Sequence, residues 1–557
     1  MKTSILLILS FFILLGCTTN DKPEISASPD AIPFTWDNAI IYFLLTDRFN
    51  NSDPSNDINF GRESETAVNR GFMGGDLAGV TKKIKEGYFN DLGISALWMT
   101  PFVEQNHGLV NEGTGDTYGY HGYWAQDWTA LDPNFGTEEE LAELVKAAHD
   151  KGIHIVMDVV INHTGPITPE DPVWGDEWVR TSPTCTYKDY KSTVTCTLVD
   201  NLPDIRTESE EIVMLPPRLL EKWKEEGRLE QELEELDTFF SETGYPRAPK
   251  YYIIKWLTDY IRKYGISAYR LDTAKHTEEE VWSILRKEAD RAYAEWKENN
   301  PDIFPDTHHF YMVGEVYNYN ISAGRWFDFG DTLVDFFAEG IDHLINFEFK
   351  YDATKDYEYL FSKYSSLLND KLEGKGVVNY LSSHDDGSPY DKMRNKALKA
   401  ANKLLLSPGA CQVYYGDESS RMLITEGAEG DANLRSFMNW EEIEANEEIS
   451  GFKTREVMTH YQKLGTFRKL HPAVGAGVHE MISKEPYIFK RTYTYQNLAD
   501  VVVIGMNLNS GVKKIPVKGI FEDGITLKDS YSGMTAVVEK GEIQIDSKEP
   551  IVLLALF

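Results

Sequence analysis

The 557-residue chain reads as an α/β protein: an eight-stranded (β/α)8 TIM barrel with a protruding sub-domain after strand 3 and a C-terminal all-β domain. Three observations lead there. From Ile40 onward, short apolar runs alternate with longer amphipathic segments, the pattern of repeated β-α units. Eight such runs occur, the number that closes a β/α barrel. Past Pro472 the texture changes to Gly-punctuated, β-branched runs such as Val501–Met506 and Ile551–Leu556, which read as strands alone.

The candidate barrel strands are Ile40–Thr46, Ile94–Thr100, His154–Val160, Ile266–Leu271, Phe310–Gly314, Leu344–Phe349, Val377–Leu381 and Ala410–Tyr415. Helical stretches such as Thr137–Lys151 and Lys250–Tyr264 lie between them, with Gly152 and Gly265 as helix stops. Roughly a hundred residues separate the third run from the fourth, far beyond an ordinary connection, so a sub-domain must protrude there. It runs from about Asn162 to Ala248, and its part from Leu215 to Phe240 reads as charged helix with an apolar stripe, expected to be a solvated structural insert. The expected division is 1–17 signal, 18–34 tether, 35–161 with 249–471 barrel, 162–248 inserted sub-domain and 472–557 β-domain. The last is expected to pack against the barrel.

With 42% hydrophobic residues the chain can bury a sizeable core. Its formal net charge of −33 argues against a nucleic-acid or anionic-membrane partner and fits neutral or cationic ligands, with bound divalent cations. Lys2 precedes the apolar run Ile5 to Leu15, which is too short to span a bilayer and has the form of a secretory signal. The run ends in Leu14-Leu15-Gly16-Cys17, which resembles the bacterial lipoprotein processing box, where Cys17 becomes the lipidated first residue. An ordinary signal peptide with an incidental cysteine is the alternative. The expectation is an exported protein held to a bacterial membrane, the outer one, only by that anchor, with residues Thr18 to Phe34 as tether. Cys185 and Cys196 can close a local disulfide in an oxidising compartment, and nothing in their spacing points to zinc. Cys411 lies in an apolar run and reads as a buried small hydrophobe.

The stretch Tyr264-Gly265-Ile266-Ser267-Ala268-Tyr269-Arg270-Leu271-Asp272-Thr273-Ala274-Lys275-His276 is an apolar run that ends in four ionisable side chains. Strand alternation puts Arg270 and Asp272 on one face, where the guanidinium holds the carboxylate ionised, as a nucleophile requires. Taken alone, the pair reads first as a structural ion pair closing a sheet. Other strands end similarly. The third runs into Asp158-Val159-Val160-Ile161-Asn162-His163, the fifth into Gly314-Glu315-Val316, and the seventh into Ser382-Ser383-His384-Asp385-Asp386. Carboxylates after strands four, five and seven are hard to explain structurally, because each must avoid unpaired burial.

These stretches resemble the α-amylase family of glycoside hydrolases (family 13), in its bacterial lipoprotein form. So do Gly74-Gly75-Asp76-Leu77-Ala78-Gly79-Val80, Gly119-Tyr120-His121-Gly122-Tyr123-Trp124, Asp132-Pro133-Asn134-Phe135-Gly136-Thr137, Leu202-Pro203-Asp204-Ile205 and Tyr414-Tyr415-Gly416-Asp417-Glu418, in family order. The resemblance implies Asp272 as nucleophile, Glu315 as general acid/base and Asp385 as the carboxylate that stabilises the transition state. It implies that Tyr123 stacks on the reacting sugar, that His163 and His384 hydrogen-bond its hydroxyls, and that Lys275 and His276 border the leaving-group sites. It also implies calcium. One site would use Asn51, Asp53, Asn56, Asp57, Asp76 and the Gly74 carbonyl, a cluster of hard oxygen ligands. A second would use Asn162, Asp204 and the His276 carbonyl to join the sub-domain to the barrel.

The expected activity is hydrolysis, with retention, of internal α-1,4 bonds in starch, glycogen or maltooligosaccharides. A cyclomaltodextrinase, maltogenic hydrolase or α-glucan transglycosylase is the alternative within the family, and a non-catalytic α-glucan-binding lipoprotein the alternative outside it. Ile205-Arg206 stands where many members have Leu-Asn, and Ser383 precedes His384 where Asn is usual, which leaves the fine substrate assignment open.

Overall fold

The structure is a computed structural model that describes residues 24–25, 32–303, 308–372 and 374–557. The signal segment and Cys17 lie outside the described residues. Eight parallel strands close the barrel: β1 (Ile40–Leu44), β2 (Ala96–Met99), β3 (His154–Val159), β4 (Ala268–Leu271), β5 (Tyr311–Gly314), β6 (His343–Asn346), β7 (Gly376–Asn379) and β8 (Ala410–Tyr414). Each pairs with its neighbours in sequence, and β8 closes on β1. Every strand is buried along its whole length, as expected of a parallel sheet covered by helices.

Six of the eight strands fall within the expected runs, and the seventh begins one residue before its run, at Gly376. The sixth begins one residue earlier and ends at Asn346, because Phe349 opens a helical turn (Phe349–Asp352) instead of continuing the strand. Aromatic residues at 347 and 349 look like strand alternation, but Glu348 is already right-handed helical, with φ −74° and ψ −28°.

Helix signals work as the sequence suggests. Thr137 caps the helix Glu138–Asp150 through a reciprocal bond with Glu140. The helix Pro249–Tyr264 starts with proline and stops at Gly265, whose φ is +77°. Gly265 then turns the chain directly into β4. A Cβ at this position would lie 2.2 Å from Trp296 Cε2, so the glycine also admits a neighbouring indole.

The insert after β3 carries the helices Pro217–Glu225 and Leu229–Thr243. They are not merely solvated. Trp223, Leu236, Phe239 and Phe240 are buried in the same apolar core as the barrel, against Tyr252 and Trp256 of the helix before β4. Most of their charged residues face outward, which is what the sequence displays, while Lys222 turns in to Glu104 and Asp127. Cys185 and Cys196 are joined by a disulfide, and Cys411 is free and buried.

The C-terminal sheet has a strand-by-strand division of faces. Along Leu498–Met506, Val502 and Ile504 join the barrel's core, while Val501 and Val503 join a second core with Ile515, Leu527 and Ile543. Period-two alternation thus docks one face on the barrel and packs the other against a separate two-stranded sheet formed by Gly511–Pro516 and Glu542–Ser547.

Gly265→Ala is expected to destabilise the protein by about 1–2 kcal/mol from the left-handed backbone alone, with the Trp296 clash adding to it. A thermal or urea unfolding comparison checks this, and an unchanged midpoint would show that this turn tolerates a side chain.

Candidate active site

The register of the barrel brings the strand ends level. Leu271 pairs with Val159 on one side and with Gly314 on the other, so the next residues, Asp272 and Glu315, leave the sheet side by side. Both side chains are more than nine-tenths buried at the floor of a cleft of about 1020 Å³. Arg270 lies beneath them, 2% exposed.

Arg270 Nη1 donates to Asp272 Oδ1 at 2.6 Å and to Asp158 Oδ1 at 2.9 Å, and Nη2 is 3.2 Å from Glu315 Oε2. One rigid fork therefore holds three carboxyls. Its guanidinium carbon lies 5.2 Å from the Trp98 ring centroid and 5.7 Å from that of Tyr123. Asp158 is fastened further by Trp98 Nε1 at 3.0 Å and Tyr123 Oη at 2.7 Å. In the sequence Asp158 is visible only as part of a strand; its role as the partner that orients Arg270 and Tyr123 depends on pairing between β3 and β4.

Thr273 follows Asp272 with φ +47°, a conformation that costs energy for a β-branched residue. It turns its N–H onto Glu315 Oε2 at 2.8 Å. Burial pushes Glu315 up to about 8 against the pull of Arg270, and the charge of Asp272 and Asp385 adds to the rise. Burial likewise raises Asp158, to about 6. Asp385 is raised by its surroundings too, yet its side chain is 39% exposed, so the cleft solvent moderates that effect.

The aromatic and imidazole groups line the same cleft. The Tyr123 ring stacks on His384 with centroids 5.2 Å apart, and His163 Nε2 lies 3.2 Å from the Tyr123 carbonyl oxygen. Burial lowers both imidazoles, so they are neutral near pH 7; His384 keeps Nε2 for a sugar hydroxyl, whereas His163 would have to exchange one of its protein neighbours for one. Ser383 Oγ is 3.3 Å from His384 Nδ1, so the unusual serine sits on the imidazole. Lys275 Nζ donates to the Tyr317 carbonyl at 3.3 Å, and His276 Nδ1 is 2.9 Å from the Thr193 carbonyl oxygen.

Several lining groups escape the sequence reading. Tyr187 and Tyr317, both about half exposed, flank Lys275, with Nζ 5.8 Å and 5.1 Å from their ring centroids. Asp431 binds Arg435 Nη2 at 2.7 Å, and Arg435 Nε donates to the His384 carbonyl at 3.0 Å. The spacing of Asp431 and Arg435 by four was the available signal; Tyr187 had none.

Among the described residues, no group of three or more His, Cys, Asp and Glu side chains is placed to hold a metal ion. The expected calcium sites draw also on amide and backbone oxygens. Asn51 Oδ1 and Asn56 Oδ1 are buried without a hydrogen-bond partner, and Asn51 Nδ2 donates to Asp57 Oδ1 at 2.8 Å. Gly74 packs so close that a Cβ would lie 2.4 Å from both side chains. Asp76 accepts from the backbone of Ser52, Asp53 and Gly79, while Asp53 turns to Ser55. Orphaned amide oxygens beside a carboxylate fit a hard cation. At the second position Asp204 Oδ2 is buried without a hydrogen bond, and Arg180 Nε stands 2.7 Å away. Burial pushes Asp204 up to about 9 against the pull of Arg180, and the charges of Glu278 and Glu208 add to the rise. Asn162 Nδ2 lies 3.2 Å from His163 Nδ1, and its carbonyl accepts from Ile205.

The α-amylase catalytic-domain family model matches residues 43–463. The chain belongs to the α-amylase family. It is 36% identical over 532 residues to the periplasmic alpha-amylase of Escherichia coli, covering 84% of this chain and 72% of that protein. A cyclomaltodextrin glucanotransferase of Geobacillus stearothermophilus is 24% identical, with 92% and 65% covered. The solved structure of an Anoxybacillus alpha-amylase aligns with TM-score 0.65 at 23% identity, over 94% of this chain and 99% of that one. This α-amylase family member is accordingly a glycoside hydrolase acting on α-glucans.

Glu315 is neutral when folded at pH 7 but ionised in the unfolded chain, so folding takes up its proton between its ordinary 4.5 and about 8, and stability falls as pH rises through that window. Glu315→Gln removes the dependence. Its melting midpoint is expected to gain on the parent's as pH rises from about 5 to about 8; a constant difference would show Glu315 ionised throughout.

Proposed function

We propose that this enzyme cleaves internal α-1,4-glucosidic bonds of starch, glycogen or maltooligosaccharides by double displacement with retention. The observation that carries the reading is the single Arg270 fork between Asp272 and Glu315, with Glu315 pushed up to about 8. Retention needs one carboxylate ionised and a neighbouring one protonated.

Arg270 occupies Asp272 Oδ1, which leaves Oδ2 to attack the anomeric carbon. Glu315 Oε2 faces two donors, Thr273 N–H and Arg270, so its proton resides on Oε1 and passes to the glycosidic oxygen as the bond to the anomeric carbon breaks. The resulting carboxylate then takes a proton from water, whose oxygen attacks the anomeric carbon and frees Asp272. Asp385 stabilises the positive charge on the ring in both transition states, Tyr123 stacks on that ring, and neutral His163 and His384 bind its hydroxyls. Arg270 is a positioning residue. Lys275 and His276 border the departing units.

Tyr187 and Tyr317, exposed on that departing side, favour a second reading in which a sugar competes with water as acceptor. Product analysis on amylose separates the two: linear oligosaccharides support hydrolysis, and cyclic or lengthened products support transfer.

The same proposal includes calcium held by Asn51, Asp57, Asn56 and the Gly74 carbonyl, with Asp53 and Asp76 around it, and a second ion at Asp204 with Asn162 and the His276 carbonyl. Bound there, calcium would supply fixed positive charge to the loop after β1 and to the junction of sub-domain and barrel. It further includes the five-part division of the chain given above, with export and an anchor at Cys17. Lys2, the apolar run and Leu14-Leu15-Gly16-Cys17 support this, and the similar Escherichia coli protein is named as periplasmic.

Asp272→Asn is expected to lower kcat at least about 1,000-fold with the fold intact by circular dichroism. In the parent enzyme, proton NMR of fresh products is expected to show the α-anomer; initial β-anomer would rule out double displacement. Chelation is expected to lower the melting midpoint, calcium to restore it, and Asp57→Ala to blunt the response. An unchanged midpoint after verified calcium removal would defeat the metal assignment.

A further inference from the structure

A second pocket of about 280 Å³ opens on the sub-domain side, walled in part by Glu104, His107, Gln126, Trp174, Pro217 and Lys222. None of these residues lines the reaction cleft. Yet the two cavities share chain. The stretch 104–112 gives Glu104 and His107 to the pocket and Val110, Asn111 and Glu112 to the cleft, and the stretch 166–175 gives Trp174 to the pocket and Pro166 to the cleft. Asp171 staples the stretches together, accepting the N–H groups of His107 at 3.0 Å and Gly108 at 2.8 Å.

The pocket's chemistry suits a neutral polyhydroxylated ligand. Trp174 is half-buried and meets Trp128 and Trp178 only edge-on, at 79° and 83°, so neither ring lies flat on it. An apolar ring face with a few placed polar groups is the make-up of a small-molecule site. Opposite lie Glu104 and Asp127, joined by the Lys222 ammonium, with His107 Nε2 3.1 Å from Glu104. Gln126 donates through Nε2 to Asn106 at 2.7 Å, leaving its carbonyl oxygen for a ligand hydroxyl. The pocket's charged lining is balanced, Glu104 and Asp127 against Arg218 and Lys222, so it holds no excess charge to draw an anion, and Lys222 already occupies the place of a cation. The Phe60 ring, 41% exposed, stacks on His107 with centroids 3.7 Å apart and extends the apolar surface beside the pocket.

We propose that this pocket is a second α-glucan-binding site, which holds one or two sugar rings of the same polymer whose scissile bond lies in the cleft. The proposal rests on the α-glucan reading of the cleft and adds a place where long substrates are held apart from the chemistry. Long chains gain from it because a second grip on one molecule is intramolecular.

The test uses the full chain. Asp272→Asn protein titrated with maltoheptaose by calorimetry is expected to show two sites, and the same protein carrying Trp174→Ala only one. In the active enzyme, Trp174→Ala and Gln126→Ala are expected to raise KM on soluble starch, about fivefold for the tryptophan. Turnover of a nitrophenyl maltotrioside is expected to stay unchanged. Gln126→Ala leaves the tryptophan cluster whole, so it decides the matter if Trp174→Ala fails to fold. A one-site isotherm for the Asp272→Asn protein, or an unmoved starch KM in the folded variants, overturns the second site. Absence of turnover on both substrates by the parent enzyme would instead overturn the α-glucan reading.

Discussion

A single buried guanidinium governs the centre of this protein. Arg270 is surrounded by Asp158, Asp272 and Glu315 and has rings of Trp98 and Tyr123 nearby, at a depth where charge without compensation is costly. One cation cannot satisfy three anions. The environment resolves this by pushing Glu315 up to about 8, so that one carboxyl keeps its proton through the same crowding that steadies its neighbours. Acid strength here is thus a property of the cluster, and the parallel pairing of β3, β4 and β5 is what assembles the cluster.

Around that centre the architecture separates rigidity from selectivity. The strands are wholly buried and fix the carboxyls, whereas the cleft's upper walls come from loops and from the insert after β3. The insert is nonetheless anchored. Its helices put Trp223, Leu236, Phe239 and Phe240 into the barrel's core, and Trp223 Nε1 donates to Thr129 Oγ1 at 3.0 Å. The C-terminal sheet buttresses the other side through Val502, Ile504 and Leu553.

Much of this is legible in the sequence because the strands are short apolar runs marked off by glycine or by ionisable residues at their ends. Asp272, Glu315 and Asp385 stand out since carboxylates after buried strands need a reason. The sixth strand is misjudged at its end because alternating aromatics in 347–349 fit a strand and a helical turn equally well, and only tertiary packing decides. The buried face of the insert is hidden by its many charged residues. Asp158 and Tyr187 are illegible for a different cause: the importance of the first arises from cross-strand pairing, and the position of the second from a folded loop in which it adopts φ +55°. No local pattern encodes either.

The bond between Cys185 and Cys196 closes a small loop, and the Thr193 carbonyl inside that loop is the partner of the His276 ring. The same loop carries Tyr187 to the cleft and sets Tyr190 against Glu279 and Asp331. One wall of the cleft therefore relies on a covalent clasp that persists only where thiols are oxidised. The shape of the cleft is in this way sensitive to the redox state of two thiols that do not line it.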